Sequence, residues 1–407
     1  MMDESYFWKR NNTVLSLFSG EYGEELSKEY KDTDLKRLLE GGVGLPASAT
    51  DLERYGDYYA SNYKDLSSIK LVIKNKDNDF VGICDIFYMD YKSGSCQIGF
   101  YIFKKYRFCG HGTDTLEIVT DFLFNERRLN KINIVVVNKN AETEAFLVNR
   151  GFKLECNDRE AYYTNGGFRD KLIFGMVKSE YKTMALETER QGAFQNPDPN
   201  LYLEDELLAI YRQYKHVPSD GIAIRQYFWA CDGIELREMT EEDYRDLKTM
   251  VYCSEDCRMF DCDVKLPDDT DILSERDTEH ADFGGEDNRK EFAILNEDGE
   301  LVGNINLLGR DDKNGKFSLS VYIFPEYKNM GYGSRAVRLI AEYGFTELRL
   351  NRLFVTVNGD NPASFKMMLK AGLKPDGAVR ENIFYKGRYV DEVHMSMGRK
   401  EFMESNG

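Results

Sequence analysis

The segment Arg107-Phe108-Cys109-Gly110-His111-Gly112 is matched 221 positions later, the difference between 328 and 107, by Lys328-Asn329-Met330-Gly331-Tyr332-Gly333. In both places the flanking patterns predict an aromatic-rich strand before the segment and an amphipathic helix after it. Two glycines at this spacing remove side chains where backbone N–H groups must approach a ligand, and a helix start adds positive potential. The segment therefore predicts a backbone cradle for a pyrophosphate, and the chain carries it twice.

The spacing of 221 residues recurs along most of the chain, which indicates a duplicated domain. The other matching landmarks are Tyr6-Phe7-Trp8 and Tyr227-Phe228-Trp229, Val81-Gly82 and Val302-Gly303, Leu129-Asn130 and Leu350-Asn351, and Gly151 and Gly372. We therefore divide the 407 residues into a first domain at 1–181, a linker at 182–224 and a second domain at 225–407. One helix is predicted in the linker, over Leu203 to Tyr214.

Strand and helix patterns alternate in the same order in both repeats. In the second repeat, β-branched and aromatic stretches predict strands and a 3.6-residue apolar period predicts a helix. The predicted elements are strands at Ile234–Arg237, Phe292–Asn296, Leu301–Leu307, Ser318–Phe324 and Leu353–Val357, and a helix at Ser334–Glu347. The order β-β-β-α-β-α-β favours an α+β layer fold.

The charge balance excludes some partners. The chain has 71 acidic and 54 basic residues, a formal net charge of -17. Such a surface repels phosphate backbones and anionic lipid, so we expect neither nucleic acid nor membrane as a partner. No apolar run reaches the ~20 residues of a membrane span, and the start lacks a signal-peptide layout. A cytoplasmic location is the expectation.

The eight cysteines are scattered, which favours reduced core thiols over a disulfide framework. Cys253, Cys257 and Cys262 with His280 lack a Cys-x-x-Cys knuckle, so we predict no metal site. A dinucleotide fold requires Gly-x-Gly-x-x-Gly in its first βαβ unit, whereas here the third glycine is missing and several strands come first. A P-loop requires a lysine and threonine ending that is also absent.

With these features the sequence resembles the GNAT superfamily of N-acetyltransferases. Its signature of Arg or Gln, two residues, Gly, one residue, and Gly or Ala is met in full by Arg107–Gly112, while Lys328 replaces the arginine in the second repeat. Further elements resemble the branch that acetylates the N-termini of ribosomal proteins. They are Asn361-Pro362-Ala363-Ser364, Ala371-Gly372-Leu373, and Arg380-Glu381 with Gly387 and Asp391, while Pro325-Glu326-Tyr327 resembles the lead-in of the whole family.

The resemblance implies two tandem GNAT domains, each a mixed, mostly antiparallel sheet flanked by helices. It also implies acetyl-CoA as co-substrate, with its pyrophosphate on the glycine turns and its pantetheine arm along the preceding strand. The residues implied in cofactor binding are Ile102, Arg107, Cys109, Gly110, His111, Gly112, Thr113 and Asn140, and Ile323, Lys328, Met330, Gly331, Tyr332, Gly333, Ser334 and Asn361. Because Tyr332 replaces His111, we expect the His111 side chain to be exposed to solvent.

The resembled chemistry is direct attack of a neutral amine, from a small molecule or a peptide N-terminus, on the thioester carbonyl, with a strand N–H stabilising the oxyanion. Many relatives place a glutamate before the strand glycine and a tyrosine in the second helix. This chain has Gln97 or Ser318 at the first position and Leu147 or Met368 at the second.

Other residues are therefore candidates for the acid and base. They are Ser364, Tyr385 and Glu381 in the second repeat, and Tyr163 and Glu160 in the first. A helix cap, a strand tyrosine and a surface acid are their structural alternatives. Two functions stay open, an N-acetyltransferase and a module that holds CoA without turnover, and the sequence leaves the oligomeric state open.

Overall fold

The computed structural model describes residues 6–29, 31–33, 50, 54, 68–137, 140–184, 198, 202–214, 228–251 and 289–406. The chain divides into two compact units. The first unit comprises Met1–Asn157, Thr164–Asn196 and Arg380–Phe384, and the second comprises Asp158–Tyr163, Pro197–Val379 and Tyr385–Gly407. The residues of the rejected zinc site, Cys253, Cys257, Cys262 and His280, lie outside the described residues.

The elements of the first repeat begin with a short hairpin and end with a long hairpin followed by a helix. The strands are β1 (Lys9–Arg10), β2 (Thr13–Leu17), β3 (Ile69–Asn75), β4 (Phe80–Asp90), β5 (Ser95–Ile102), β6 (Lys131–Val137), β7 (Lys153–Thr164) and β8 (Gly167–Val177). The helices are α1 (Gly23–Glu29), α2 (His111–Asp121, continued as one π-helical stretch to Glu126), α3 (Ala141–Val148) and α4 (Lys178–Met184). The predicted boundary at residue 181 falls inside α4.

The second unit repeats this order after an additional helix, α5 (Asp205–Tyr214). Its strands are β9 (Ala230–Cys231), β10 (Ile234–Glu238), β11 (Lys290–Asn296), β12 (Leu301–Asp311), β13 (Lys316–Ile323), β14 (Arg352–Asn358), β15 (Lys374–Tyr385) and β16 (Arg388–Gly398). Its other helices are α6 (Glu241–Val251), α7 (Tyr332–Thr346), α8 (Pro362–Ala371) and α9 (Arg399–Asn406).

The sheets of the two units have the same mixed pairing. In the first unit β1 to β5 pair antiparallel in chain order, β5 pairs parallel with β6, and β6 pairs antiparallel with β8. In the second unit β9 to β13, then β14, then β16 pair in the same way. The predicted α+β fold with a mixed, mostly antiparallel sheet is confirmed. The two-residue strands β1 and β9 were not predicted, because two residues are too few to show a period.

The cores lie between each sheet and its long helix. Phe317, Phe345 and Phe365 are fully buried in the second unit, where Leu207 and Tyr211 of α5 join the same apolar cluster. The helix predicted within 182–224 thus packs on the second unit's core. Among the described residues, no helix has the length and apolar character needed to cross a membrane.

A buried ion cluster lies in the first unit at the start of β6. Lys131 and Glu155 are both fully buried, with Lys131 Nζ 2.6 Å from Glu155 Oε2. Arg380 Nε donates to Glu155 Oε1 at 2.8 Å and its Nη1 to Glu180 Oε1 at 2.8 Å. Burial by itself disfavours the charged carboxylate, but hydrogen bonds from Arg380 and Lys153 lower the pKa of Glu180 to about 2. Each carboxylate of the cluster is therefore paired with a basic side chain.

The second unit carries the counterpart of this cluster at the same repeat positions. Arg352 replaces Lys131, and its Nη2 donates to Asp376 Oδ2 at 2.8 Å. Arg159 Nε donates to Asp376 Oδ1 at 2.7 Å, and Arg159 Nη1 donates to Glu401 Oε1 at 2.9 Å. Each unit thus contains an acid held between two cations.

Candidate active site

The two glycine turns have the same backbone conformation. Phe108 and Gly110 have φ values of 62° and 88°, and their counterparts Asn329 and Gly331 have 66° and 87°. Gly110 and Gly331 are the N-caps of α2 and α7, and no side chain caps either helix. Because the first N–H groups of a helix have no intrahelical acceptor, an uncapped start offers donors to an anion. Each turn can hold a phosphate group.

In the first unit the strand before the turn separates from its parallel neighbour. β5 pairs with β6 from Ser95 with Lys131 to Ile98 with Ile134. β5 nevertheless continues to Ile102, and β6 continues to Val137. The last four residues of β5 keep their partners on β4 but have none on β6. These described strands therefore form a wedge-shaped opening that ends at the glycine turn.

The second unit has the same opening, one residue pair longer. β13 pairs with β14 only from Lys316 with Arg352 to Ser318 with Phe354. β13 then runs on to Ile323, held on its other side by β12. An unpaired strand edge can accept an extended ligand through backbone hydrogen bonds. A pantetheine-like arm fits this edge, and its reactive end would lie between the two strands.

The second helix of each repeat begins beside this opening with an asparagine cap. The side chain of Asn140 accepts from Thr143 N at 3.3 Å, and that of Asn361 accepts from Ser364 N at 3.0 Å. The backbone N–H of Ser364 therefore donates to the cap. The side chain of Ser364 is not itself the cap, so that alternative interpretation of the sequence is wrong. Its half-buried hydroxyl has no hydrogen-bond partner among the described residues.

The surroundings of the first turn differ from the prediction. His111 is 3% exposed, so the expectation that it faces solvent is wrong. Thr13 Oγ1 lies 2.9 Å from His111 Nδ1 and donates to Asp114 Oδ2 at 2.9 Å. Burial lowers the pKa of His111 although Asp114 opposes the shift, so the imidazole is neutral at pH 7. The side chain packs onto β2, because the first helical turn faces the sheet.

The basic side chain of the first turn is also bonded within its own unit. Arg107 Nη2 donates to Tyr101 OH at 2.9 Å and its Nε to Ile102 O at 3.2 Å. Thr113 Oγ1 accepts from Arg150 at 2.8 Å. Cys109 is exposed, and its thiol lies 3.5 Å from the Arg107 carbonyl oxygen. Arg107 therefore links the turn to β5 through these hydrogen bonds.

Arg335 lies at the second turn, where the first has Asp114. Its guanidinium donates to the carbonyl oxygens of Met330 at 2.6 Å and Gly331 at 3.3 Å, and it lies over the Tyr332 ring. Ser334 Oγ donates to Gly331 O at 3.0 Å. An arginine therefore stabilises each turn, and the first turn also has Asp114 in the first turn of its helix.

The candidate acid and base residues of the second repeat do not all fall in one unit. Glu381 belongs to the first unit, where its Oε2 accepts from Asn130 at 2.8 Å, whereas the buried Tyr385 belongs to the second unit. Asn130 precedes β6 at its paired end, about 16 Å along the strand from Val135 at roughly 3.3 Å per residue. Glu381 therefore lies at the paired end of β6 in the first unit, away from the β5–β6 opening of that unit.

Comparison with known proteins identifies the family. The model for "Acetyltransferase (GNAT) domain" matches residues 24–153 and again residues 234–374, which together are more than half of the chain. The protein belongs to the GNAT acetyltransferase family. Both GNAT matches contain a glycine turn and the strand that leads into it.

Several GNAT relatives are similar in sequence. The chain is 30% identical over 116 residues to an uncharacterized N-acetyltransferase, YokL, of Bacillus subtilis (28% of this chain, 66% of that protein). It is 27% identical over 106 residues to spermidine N(1)-acetyltransferase of Escherichia coli (26% and 57%). A solved structure of the Vibrio cholerae spermidine N-acetyltransferase with CoA and spermine has a TM-score of 0.37 at 20% identity (42% and 98%). The sequence matches thus span 57–66% of the length of these two relatives.

Sequence reasoning predicted the turns of this GNAT chain but missed what surrounds them. It did not single out Asp114, Arg335 or the polar face of β12. The signal was available, because aligning the repeats at a spacing of 221 places Asp114 opposite Arg335 and Ile83 opposite Asn304. The openings gave no such signal, because the residue pattern of a strand does not specify which strand pairs with it.

Proposed function

We propose that the protein transfers an acetyl group from acetyl-CoA to a primary amine, either a small molecule or the N-terminus of a peptide. The observation that carries the proposal is the β13–β14 opening, which leads directly into the Lys328–Gly333 turn. We propose residues 1–181 and 225–407 as the two GNAT domains, joined by a linker at 182–224.

In the proposed reaction the pyrophosphate binds at the N-terminus of α7 and the pantetheine arm lies along the free edge of β13. The amine nitrogen attacks the thioester carbonyl in the opening and forms the C–N bond. A β13 backbone N–H stabilises the oxyanion. The C–S bond then breaks, the amine loses one proton, and the departing thiolate takes up one.

Ser364 is our candidate donor of that proton. Its hydroxyl lies in the first turn of α8, beside the opening, with no competing hydrogen bond among the described residues. Tyr385 is the second candidate because it lies in the same unit. Glu381 is not retained, because its carboxylate is held in the other unit.

The alternative is a module in which one or both units hold CoA without turnover. It is favoured by the side chains at the positions where many relatives have a catalytic tyrosine. Leu147 and Met368 are buried there at 0% and 4% exposure, and neither can transfer a proton. The two functions predict the same binding but different chemistry.

Thiol release separates the two functions. The full chain, acetyl-CoA and DTNB are combined with a panel of amines that includes spermidine, small monoamines and peptides with free N-termini. We expect stoichiometric release of CoA thiol with at least one amine and an acetylated product by mass spectrometry. Binding of CoA without thiol release from any amine would favour the module.

A further inference from the structure

Strand β12 of the second unit carries a polar row on the face away from α7. Side chains alternate along a strand, and Ile305 and Leu307 lie in the core beneath α7. Asn304 and Asn306 therefore lie on the opposite face, where each is only 5% exposed. Two buried amides in adjacent positions of one face require hydrogen-bond partners.

One end of the row lies beside the opening between β13 and β14. The other end is an oxygen atom that accepts no hydrogen bond from the described residues. Asn306 Nδ2 donates at 3.2 Å to Ser320 Oγ on β13, two residues beyond the last pair with β14. Asn304 Nδ2 donates at 3.3 Å to Asn306 Oδ1. Asn304 Oδ1 is buried without a hydrogen-bond partner among the described residues. Leaving such an oxygen unpaired costs about 1–3 kcal/mol, so the site calls for an N–H or O–H donor.

An acidic group lies on the same face. Glu291 on β11 pairs directly with Asn306 across the strands, and Tyr244 of α6 donates to its Oε2 at 2.5 Å. The face is therefore partly covered by α6 and carries a carboxylate that is also ion-paired with Arg289. The unpaired Asn304 Oδ1 remains the acceptor on this face, and it suits a ligand that donates an N–H group.

The first unit has no such row at the equivalent positions. Asn304 corresponds to Ile83, which packs in an apolar cluster with Val72 and Tyr101. Asn306 corresponds to Asp85, whose Oδ1 lies 2.5 Å from Lys70 Nζ, and Ser320 corresponds to a glycine. The counterpart face is filled with apolar side chains and one internal ion pair.

We propose that Asn304 binds the amino group of the acceptor in the second unit, through an N–H donated to its Oδ1. The first unit, whose equivalent face is closed, then holds acyl-CoA but accepts no amine. The ligand class is a primary amine, and Asn304 sets its position relative to the opening between β13 and β14. This inference rests on the proposed acetyl transfer.

The test compares Asn304→Leu, which keeps the side-chain size and removes the oxygen, with Asn304→Asp, which keeps an acceptor oxygen. We expect Asn304→Leu to raise the KM for the amine about 10-fold with a nearly unchanged kcat, because it removes a hydrogen bond common to ground and transition states. Asn304→Asp should retain the wild-type KM within a few-fold. CoA binding, measured by calorimetry, should be unchanged in both.

Ile83→Val is the matched control in the first unit and should leave the amine KM unchanged. Melting curves identify a variant that fails to fold, in which case Asn304→Ser supplies the shortened side chain. An active wild type in which folded Asn304→Leu keeps its amine KM overturns this inference alone. If the wild-type protein acetylates no amine, the proposed function is wrong, and no residue is then needed to bind an amine acceptor.

Discussion

Gly333→Glu is expected to reduce acetyl transfer about 100-fold or more, whereas Gly112→Glu leaves most of the activity. A Cβ on Gly333 would lie 2.3 Å from Met367 Sδ and 3.3 Å from Ile323 Cγ1. A glutamate there forces a carboxylate among apolar side chains and displaces the first turn of α7. Overpacking costs about 1–3 kcal/mol, to which burial of a charge adds, and about 2.7 kcal/mol already equals 100-fold in rate.

Gly112→Glu is the matched control, because it makes the equivalent change in the first unit. A Cβ there would meet Phe100 and Ile102 at 3.5 Å and 3.9 Å, which are ordinary contacts. Because both glutamates place a carboxylate at a turn where we propose that pyrophosphate binds, each should impair its own unit, and kcat/KM for acetyl-CoA in full-length protein then reports which unit performs the transfer. If Gly112→Glu is the inactive variant, the assignment to the second unit is wrong.

Glu155→Gln is expected to lower the free energy of unfolding by about 3–5 kcal/mol, the range for removing one partner of a buried ion pair. Glu155 is fully buried between Lys131 and Arg380. Burial lowers the pKa of Lys131 against the opposing effect of Glu155, so the lysine depends on that carboxylate to stay charged. The neutral amide removes the carboxylate that pairs with the buried Lys131, while Arg380 keeps its hydrogen bonds to Glu180.

Urea unfolding followed by circular dichroism measures this change. Glu24→Gln is the control, because Glu24 forms an exposed surface pair with Lys28 and its removal should leave the midpoint unchanged. A loss below about 1 kcal/mol in Glu155→Gln would show that the cluster contributes no more than an average hydrogen bond.

The sequence predicted those parts of the site that depend on local backbone. The repeated glycines predicted two helix starts. Gly331 has a left-handed φ of 87°, a conformation that depends on the glycine itself and not on distant residues. The cap at the start of α8 is also local, although the sequence offered Ser364 as the cap and the structure has Asn361 in that role. These features follow from residues within a few positions of each other.

Features that depend on distant partners were missed or misplaced. Glu381 was expected to act beside Tyr385, but Arg380–Phe384 groups with the first unit. His111 was expected to be exposed, but Thr13, 98 positions earlier, lies against its ring. No local pattern encodes either contact, because the pairing of distant strands determines both.

The stoichiometry of CoA binding tests the central claim, that each glycine turn holds one acyl-CoA. Calorimetric titration of the full chain with CoA should give two equivalents, with tighter binding at the second unit because Arg335 stands where the first unit has Asp114. Gly112→Glu and Gly333→Glu should each remove one equivalent. A single equivalent in the unmodified protein, or two that survive both substitutions, would contradict the account.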